Sequence, residues 1–256
     1  MLLTIDVGNT NIGLGLFERD RLVHQFRCES ARQRTADEYA IFVRQMLALK
    51  DVDHTKVDAG IIASVVPSLT DVMVEMVRRA FAREPLVVGP KLRSGMAILY
   101  ENPREVGADR IVNAVAAYEQ VKGGVIVVDF GTATTFDCVS EKGDYLGGVI
   151  APGIQISADA LFARAARLHR VEIAKPARVV GRNAVQSMQS GIVFGYAGLV
   201  DGVVARIKGE LGYPCAVIAT GGLAGLIAPQ TACIERVDDA LTLNGLRLLY
   251  ERNVEA

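Results

Sequence analysis

Four short runs carry residue types that can do chemistry. In Asp6-Val7-Gly8-Asn9-Thr10-Asn11, Gly8 lets the backbone come close to an anion, and successive turn N–H groups can line a concave nest. Asn9, Thr10 and Asn11 add neutral donors. A carboxylate beside phosphates repels them unless a cation intervenes, so Asp6 suits a Mg2+ partner acting through water. Asp129-Phe130-Gly131-Thr132-Ala133-Thr134-Thr135 repeats the Asp-x-Gly pattern, with three threonine hydroxyls and a second carboxylate for a cation. In Thr220-Gly221-Gly222 the absent side chains would let a flat adenine or ribose lie on the backbone. In Gly107-Ala108-Asp109-Arg110, Asp109 would orient a hydroxyl for attack on a γ-phosphoryl group, and Arg110 would hold an anionic substrate. A helix N-terminus lowers a carboxylate's pKa and weakens it as a base. Phosphoryl transfer tolerates that, because its loose transition state asks mainly for positioning and charge neutralisation. Each run also has a plainer reading: a hairpin turn, a Thr-rich strand, a strand-to-helix turn, a helix N-cap. The combination in this order is more specific than any one run.

The elements around these runs follow from periodicity and breakers. Leu2–Ile5 and Ile12–Phe17 read as strands flanking the first turn, with a third strand near Leu22–Cys28. Thr35–Leu49 has helical spacing, with Thr35 or Asp37 as its cap. Asp58–Val66 reads as a strand, Pro67 to about Phe81 as a helix, Leu86–Val88 as a strand and Ile111–Tyr118 as a helix. Val125–Val128 and Phe136–Ser140 flank the second Asp-x-Gly run, followed by a strand over Tyr145–Ile150 and a helix from about Ser157 to Leu168. Strand, turn and strand therefore occur twice in the same order, an internal repeat with a boundary near residues 118–124, where Gly123-Gly124 breaks the preceding helix. The expected architecture is duplicated α/β domains, 1–120 and 121–256, with mixed sheets flanked by helices and a ligand cleft between the halves.

Composition sets outer bounds. Of 256 residues half are hydrophobic and 22% charged, which suits a large buried core. A net charge of −1 gives no footprint for nucleic acid or an anionic membrane. The longest uninterrupted apolar runs are strand length, and no signal peptide is read at the N-terminus. Cys28, Cys138, Cys215 and Cys233 form no CxxC pair and read as reduced, small core residues of a cytoplasmic protein. His24, His54 and His169 have no metal-ligand spacing. The chain lacks a P-loop, a Gly-x-Gly-x-x-Gly at a strand–helix junction, His-Glu-x-x-His and Gly-x-Ser-x-Gly. A strand–turn–strand phosphate site is the remaining nucleotide option.

The ordered set Asp6–Asn11, Gly107–Arg110, Asp129–Thr135, Gly147-Gly148-Val149-Ile150-Ala151-Pro152-Gly153 and Thr220–Gly222 resembles the type III pantothenate kinases over nearly the whole chain. The resemblance implies an actin-like (ribonuclease H-like) fold and phosphorylation of pantothenate by ATP, the committed step toward coenzyme A. It implies ATP binding by Asp6, Val7, Gly8, Asn9, Thr10, Asn11, Ile12, Gly13 and Thr132, with Gly221 and Gly222 at the adenosine end. A monovalent cation, K+ or NH4+, is implied at Asp129. Tyr100, Gly107, Ala108, Asp109 and Arg110 would surround pantothenate, with Asp109 as proton acceptor. A homodimer is implied, its substrate pocket completed by the neighbouring subunit through Gly181–Ser190. Family members often have Thr at the position of Ala184, which cannot donate that hydroxyl. The rivals are a kinase of the same superfamily acting on a sugar or another hydroxy acid, and a non-catalytic accessory factor for transcriptional regulation.

Overall fold

The computed structural model describes residues 1–165 and 168–254. It divides into two compact units, Met1–Ala116 with the C-terminal segment from Ala240, and Ala117–Asp239. The sequence-based division at 120/121 left that C-terminal segment with the second half.

The first unit is built on strands β1 (Leu2–Val7), β2 (Asn11–Glu18), β3 (Arg21–Glu29), β4 (Ala59–Ser64) and β5 (Leu86–Val87), in the order β3-β2-β1-β4-β5. β1 pairs antiparallel with β2, placing Asp6 opposite Gly13, and parallel with β4, placing Asp6 beside Ala63. Alternation sends Leu3, Ile5 and Val7 to one face. There they pack with Tyr39, Val43 and Leu47 of α1 (Ala36–Ala48) and Leu69, Met73 and Val77 of α2 (Pro67–Phe81). Thr35 caps α1 in a reciprocal box with Glu38, settling the choice between Thr35 and Asp37. Pro67 opens α2, where its missing N–H is no loss. The other face carries Leu2, Phe17, Ile61 and Ala63, covered by Val112 and Val115 of α3 (Ala108–Val121) and by Leu243, Leu246 and Leu249 of α7 (Leu241–Val254). The Thr242 hydroxyl donates to Asn113 Oδ1 at 2.7 Å, and the Asn253 amide bridges the Arg93 backbone. These contacts are why the chain's end belongs to the first unit.

The second unit repeats the sheet: β6 (Val125–Phe130), β7 (Ala133–Val139), β8 (Tyr145–Pro152), β9 (Ala216–Thr220) and β10 (Arg236–Val237), in the order β10-β9-β6-β7-β8. β6 is again antiparallel to one neighbour, β7, and parallel to the other, β9. Its core joins Ile126, Val128 and Phe130 to helices α4 (Ile154–Arg164), α5 (Ala184–Leu211) and α6 (Ala224–Ile227). Helix α4 starts at Ile154, three residues before the expected Ser157, because Gly153 is its N-cap, and it ends at Arg164. Ala166 and Arg167, within the helix expected to Leu168, lie outside the described residues.

Helix α5 was not among the elements read from the sequence. Its 28 residues are long and apolar enough to cross a membrane by length and composition, although no uninterrupted apolar run in the sequence is. Its buried residues, Ile192, Val193, Tyr196, Val200, Val204 and Ile207, face the second unit's core.

Candidate active site

The first Asp-x-Gly turn is tighter than expected. Asp6, Val7 and Asn11 are strand residues, and only Gly8–Thr10 lies between β1 and β2. Gly8 N–H donates to the Asn11 carbonyl at 3.0 Å, closing the turn. Asn9, Thr10 and Asn11 are exposed and Asp6 is half-buried, so their polar groups remain accessible. Val7 and Ile12 are fully buried in the core, which leaves their backbone as the only part that can meet a ligand. The turn sits at the carboxyl end of β1, and the Val65 N–H at the end of parallel β4 donates to the Val7 carbonyl at 3.1 Å. Carboxyl ends of adjacent parallel strands are where open α/β sheets bind ligands.

Gly107–Arg110 lies near that edge, with Val65 packed against Gly107. Asp109 is not a helix N-cap, its plainer reading. It occupies the first turn of α3, while the Gly107 carbonyl accepts from Arg110 N–H at 3.1 Å and from Ile111 N–H at 3.3 Å. Asp109 Oδ1 accepts from the Arg110 N–H at 2.8 Å. Burial nonetheless raises its pKa above the usual carboxylate value, outweighing that hydrogen bond and the Arg110 charge, which pull it down. The expected lowering by the helix N-terminus therefore does not prevail, and Asp109 is a better proton acceptor than its position alone suggests. Arg110 is 8% exposed. Tyr100 is half-buried in the loop that precedes α3, and no described contact ties it to Asp109.

In the second unit Asp129 lies opposite Thr135 across β6 and β7, and the Gly131 N–H donates to the Ala133 carbonyl at 3.0 Å. Of the three threonines only Thr132 is exposed. Thr134 is fully buried with no hydrogen-bond partner for its hydroxyl among the described residues, and Thr135 donates to Asp137 Oδ2 at 3.3 Å. Sequence alone could not separate them, because alternation along a strand shows which residues share a face but not which face is covered. Gly221, with φ of +94°, lies against the same aspartate: a Cβ there would come within 2.5 Å of Asp129 Oδ1 and 2.7 Å of the Phe130 backbone. Glycine at 221 is therefore required by the packing of the Thr220–Gly222 turn on Asp129, whatever it binds. Gly222 beside it is exposed.

Ala184 is the first residue of α5 and exposed, after Asn183, which caps the helix by accepting from Gln186 N–H at 2.9 Å. It lines a cavity of about 500 Å3 between α4 and α5, with Leu161, Met188, Gly191 and Ile192 on its walls. Ser187 also lines it, and across the cavity the Ser157 and Tyr196 hydroxyls lie 2.6 Å apart, with Tyr196 donating to the Pro152 carbonyl at 2.9 Å. Neither residue stands out in the sequence, since the two lie 39 positions apart. Among the described residues no group of three or more His, Cys, Asp or Glu could hold a metal ion. Asp6 and Asp129 are single carboxylates. That suits cations whose remaining ligands are phosphate oxygens, backbone carbonyls or water.

Comparison with known proteins adds independent findings. The family model described as type III pantothenate kinase matches residues 2–206. A type III pantothenate kinase of Moorella thermoacetica is 56% identical over 253 residues, spanning 99% of this chain and 100% of that one. One from Myxococcus xanthus is 57% identical, covering 99% of each. Among solved structures, a Campylobacter jejuni chain ascribed to the Baf family of transcriptional activators superposes with a TM-score of 0.60 at 19% identity, covering 99% of this chain and 100% of that one. The polyphosphate/ATP-glucomannokinase of an Arthrobacter strain superposes at 0.52 and 16% identity, covering 100% and 99%. At such identities the structural likeness speaks to the fold alone, the sugar-kinase and actin-like ATPase fold.

Proposed function

The chain belongs to the type III pantothenate kinase family and phosphorylates pantothenate with ATP for coenzyme A biosynthesis; we propose here which of its residues carry that reaction. The observation that carries the assignment is Asp109, a carboxylate whose pKa is raised by burial at the start of α3. It accepts the proton of the pantothenate hydroxyl as the hydroxyl oxygen attacks the γ-phosphorus. The bond from that phosphorus to the β–γ bridging oxygen breaks, and ADP leaves. Arg110 anchors the pantothenate carboxylate, since a largely buried guanidinium meets little competition from water. Tyr100, Gly107 and Ala108 complete the wall around that substrate.

ATP is held by Asp6–Gly13, Thr132, Gly221 and Gly222. The side chains of Asn9, Thr10, Asn11 and Thr132 and the backbone of the turns supply the donors. The family's chemistry includes a divalent metal, which neutralises phosphate charge when bound, and Asp6 would hold Mg2+ through water. Asp129 would hold the monovalent ion, K+ or NH4+.

The homodimer, with a pocket completed by Ala184 of the second subunit, is supported by α5. Gly191, Gly195, Gly198 and Gly202 recur at spacings of four, three and four, and the first three are exposed. A face of that kind lets a second helix come close. The near-neutral charge is in keeping with small-molecule substrates and a cytoplasmic enzyme. Neither a sugar substrate nor a role in transcription is favoured.

The decisive experiment is phosphotransfer from ATP to pantothenate by the purified protein, in K+ and in Na+. Asp109→Asn should lower kcat by about 10²–10⁴-fold with little change in the KM for ATP. Near-wild-type turnover would remove Asp109 from its role. Equal rates in K+ and Na+ would count against a selective cation site at Asp129.

A further inference from the structure

Arg32 lies in the first unit between β3 and α1, outside the sequence's motif runs. The segment that carries it is fixed on three sides. The Ser30 N–H donates to the Thr10 carbonyl at 3.0 Å, and the Ser30 hydroxyl donates to the Gly8 carbonyl at 2.6 Å. The Tyr39 hydroxyl accepts from the Ala31 N–H at 3.0 Å, its ring being 1% exposed. The Arg34 guanidinium lies 5.2 Å from the Tyr39 ring centre and 5.7 Å from that of Phe42, and the Thr35–Glu38 capping box follows directly. The backbone at Arg32 is thus held against the Asp6–Asn11 turn, while its side chain is exposed.

That side chain points at the turn. Arg32 Nη2 lies 3.5 Å from Asn9 Oδ1, the long end of hydrogen-bond range and easily given up. Arg21, Arg78 and Arg79 of the same unit are each paired with carboxylates, whereas Arg32 has no salt bridge among the described residues. The turn itself holds Asp6 and neither Lys nor Arg. Phosphate arriving there would meet a carboxylate and neutral donors, with no side-chain cation from the turn to balance it. A guanidinium presented at its rim by a rigid loop supplies that balance, and its fork of donors matches phosphate oxygens.

We propose that Arg32 is a phosphate-binding residue of the first turn, leaving Asn9 to engage the phosphates of ATP. The proposal rests on the reading of Asp6–Gly13 as an ATP phosphate site. Calorimetric titration of ATP and AMP into the wild-type protein, Arg32→Ala, Arg32→Lys and Asn9→Asp in one Mg2+ buffer tests both. All three substitutions are at exposed positions, and unchanged thermal unfolding midpoints would show that the fold is retained. Arg32→Ala should weaken ATP by about tenfold, and AMP less, with Arg32→Lys recovering part of the loss. Asn9→Asp should weaken ATP as well, by placing a second negative charge in the turn. If Asn9→Asp weakens ATP but Arg32→Ala stays within about twofold of wild type, Arg32 is overturned and the phosphate site stands. If neither substitution changes ATP affinity, the phosphate site at this turn fails and the proposal fails with it.

Discussion

In β1 four buried residues precede a half-exposed Asp6 and a buried Val7; in β6 four buried residues precede a half-exposed Asp129 and a buried Phe130. Each aspartate leads into a turn closed by one glycine N–H at 3.0 Å. Beyond those matched strands the two turns are held by different means. The first is tied by hydrogen bonds from Ser30, at the end of β3, and keeps three exposed polar residues. The second is held by contact. A Cβ on Gly153 would come within 2.0 Å of the Thr132 carbonyl oxygen, and one on Gly221 would strike Asp129. Duplication preserved the strand–turn–strand unit, because its geometry is local. The supports diverged, because they come from whatever segment packs nearby.

The buried polar groups diverged as well. In the first sheet Thr4 donates across the ladder to the Gly15 carbonyl at 3.2 Å. The register that aligns Asp6–Gly13 with Asp129–Thr135 puts Val127 and Asp137 at the matching pair. The polar residue has moved to the second strand, where Asp137 is fully buried and accepts from the Tyr145 hydroxyl at 2.8 Å. A buried carboxylate needs such donors, since burial otherwise disfavours its charge.

The largest expected effect breaks the second turn and spares the first. Gly153→Ala forces Cβ onto the Thr132 backbone and should destabilise the second unit by about 3 kcal/mol or more. Gly8→Ala, whose Cβ would lie 3.0 Å from the Asn11 carbonyl oxygen, should cost about 1 kcal/mol or less. Denaturant unfolding of both variants measures the contrast, and equal losses would show that the turns are supported alike. Tyr145→Phe should cost about 1–3 kcal/mol through the donor lost to Asp137, and the change should show in the same unfolding curves.

The smallest effect is a pH dependence at Asp109. Because burial raises its folded-state pKa above the ordinary value of 3.8, the fold prefers the protonated form. The penalty of burying the charge is absent below 3.8 and grows as pH rises through the folded-state value. Asp109→Asn should therefore unfold at a higher temperature than wild type at neutral pH, and the gain should vanish in acid. A gain that persists at low pH would place its origin elsewhere. The acid limb of wild-type turnover should lie above that of an ordinary aspartate, since the proton acceptor must be ionised.

Both turns and their flanking strands were legible in the sequence because an apolar run ending in Asp-x-Gly is a local signal. Helix α5 was not. Its glycines each cost about 1 kcal/mol relative to Ala, and they blur the helical pattern that packing then overrides. Helix α7 was missed as well, and its place against the first unit depends on long-range partners such as Thr242 with Asn113.

By itself the sequence determined the repeat, the order of the motifs and the family, because residue type and spacing along the chain carry all three. Only the tertiary structure decided that Thr132 is the exposed one of the three threonines, that Gly221 is required by Asp129, and that Asp109 sits inside a helix with a raised pKa. Burial decides each of these, and burial depends on segments far apart in the chain that no local pattern names.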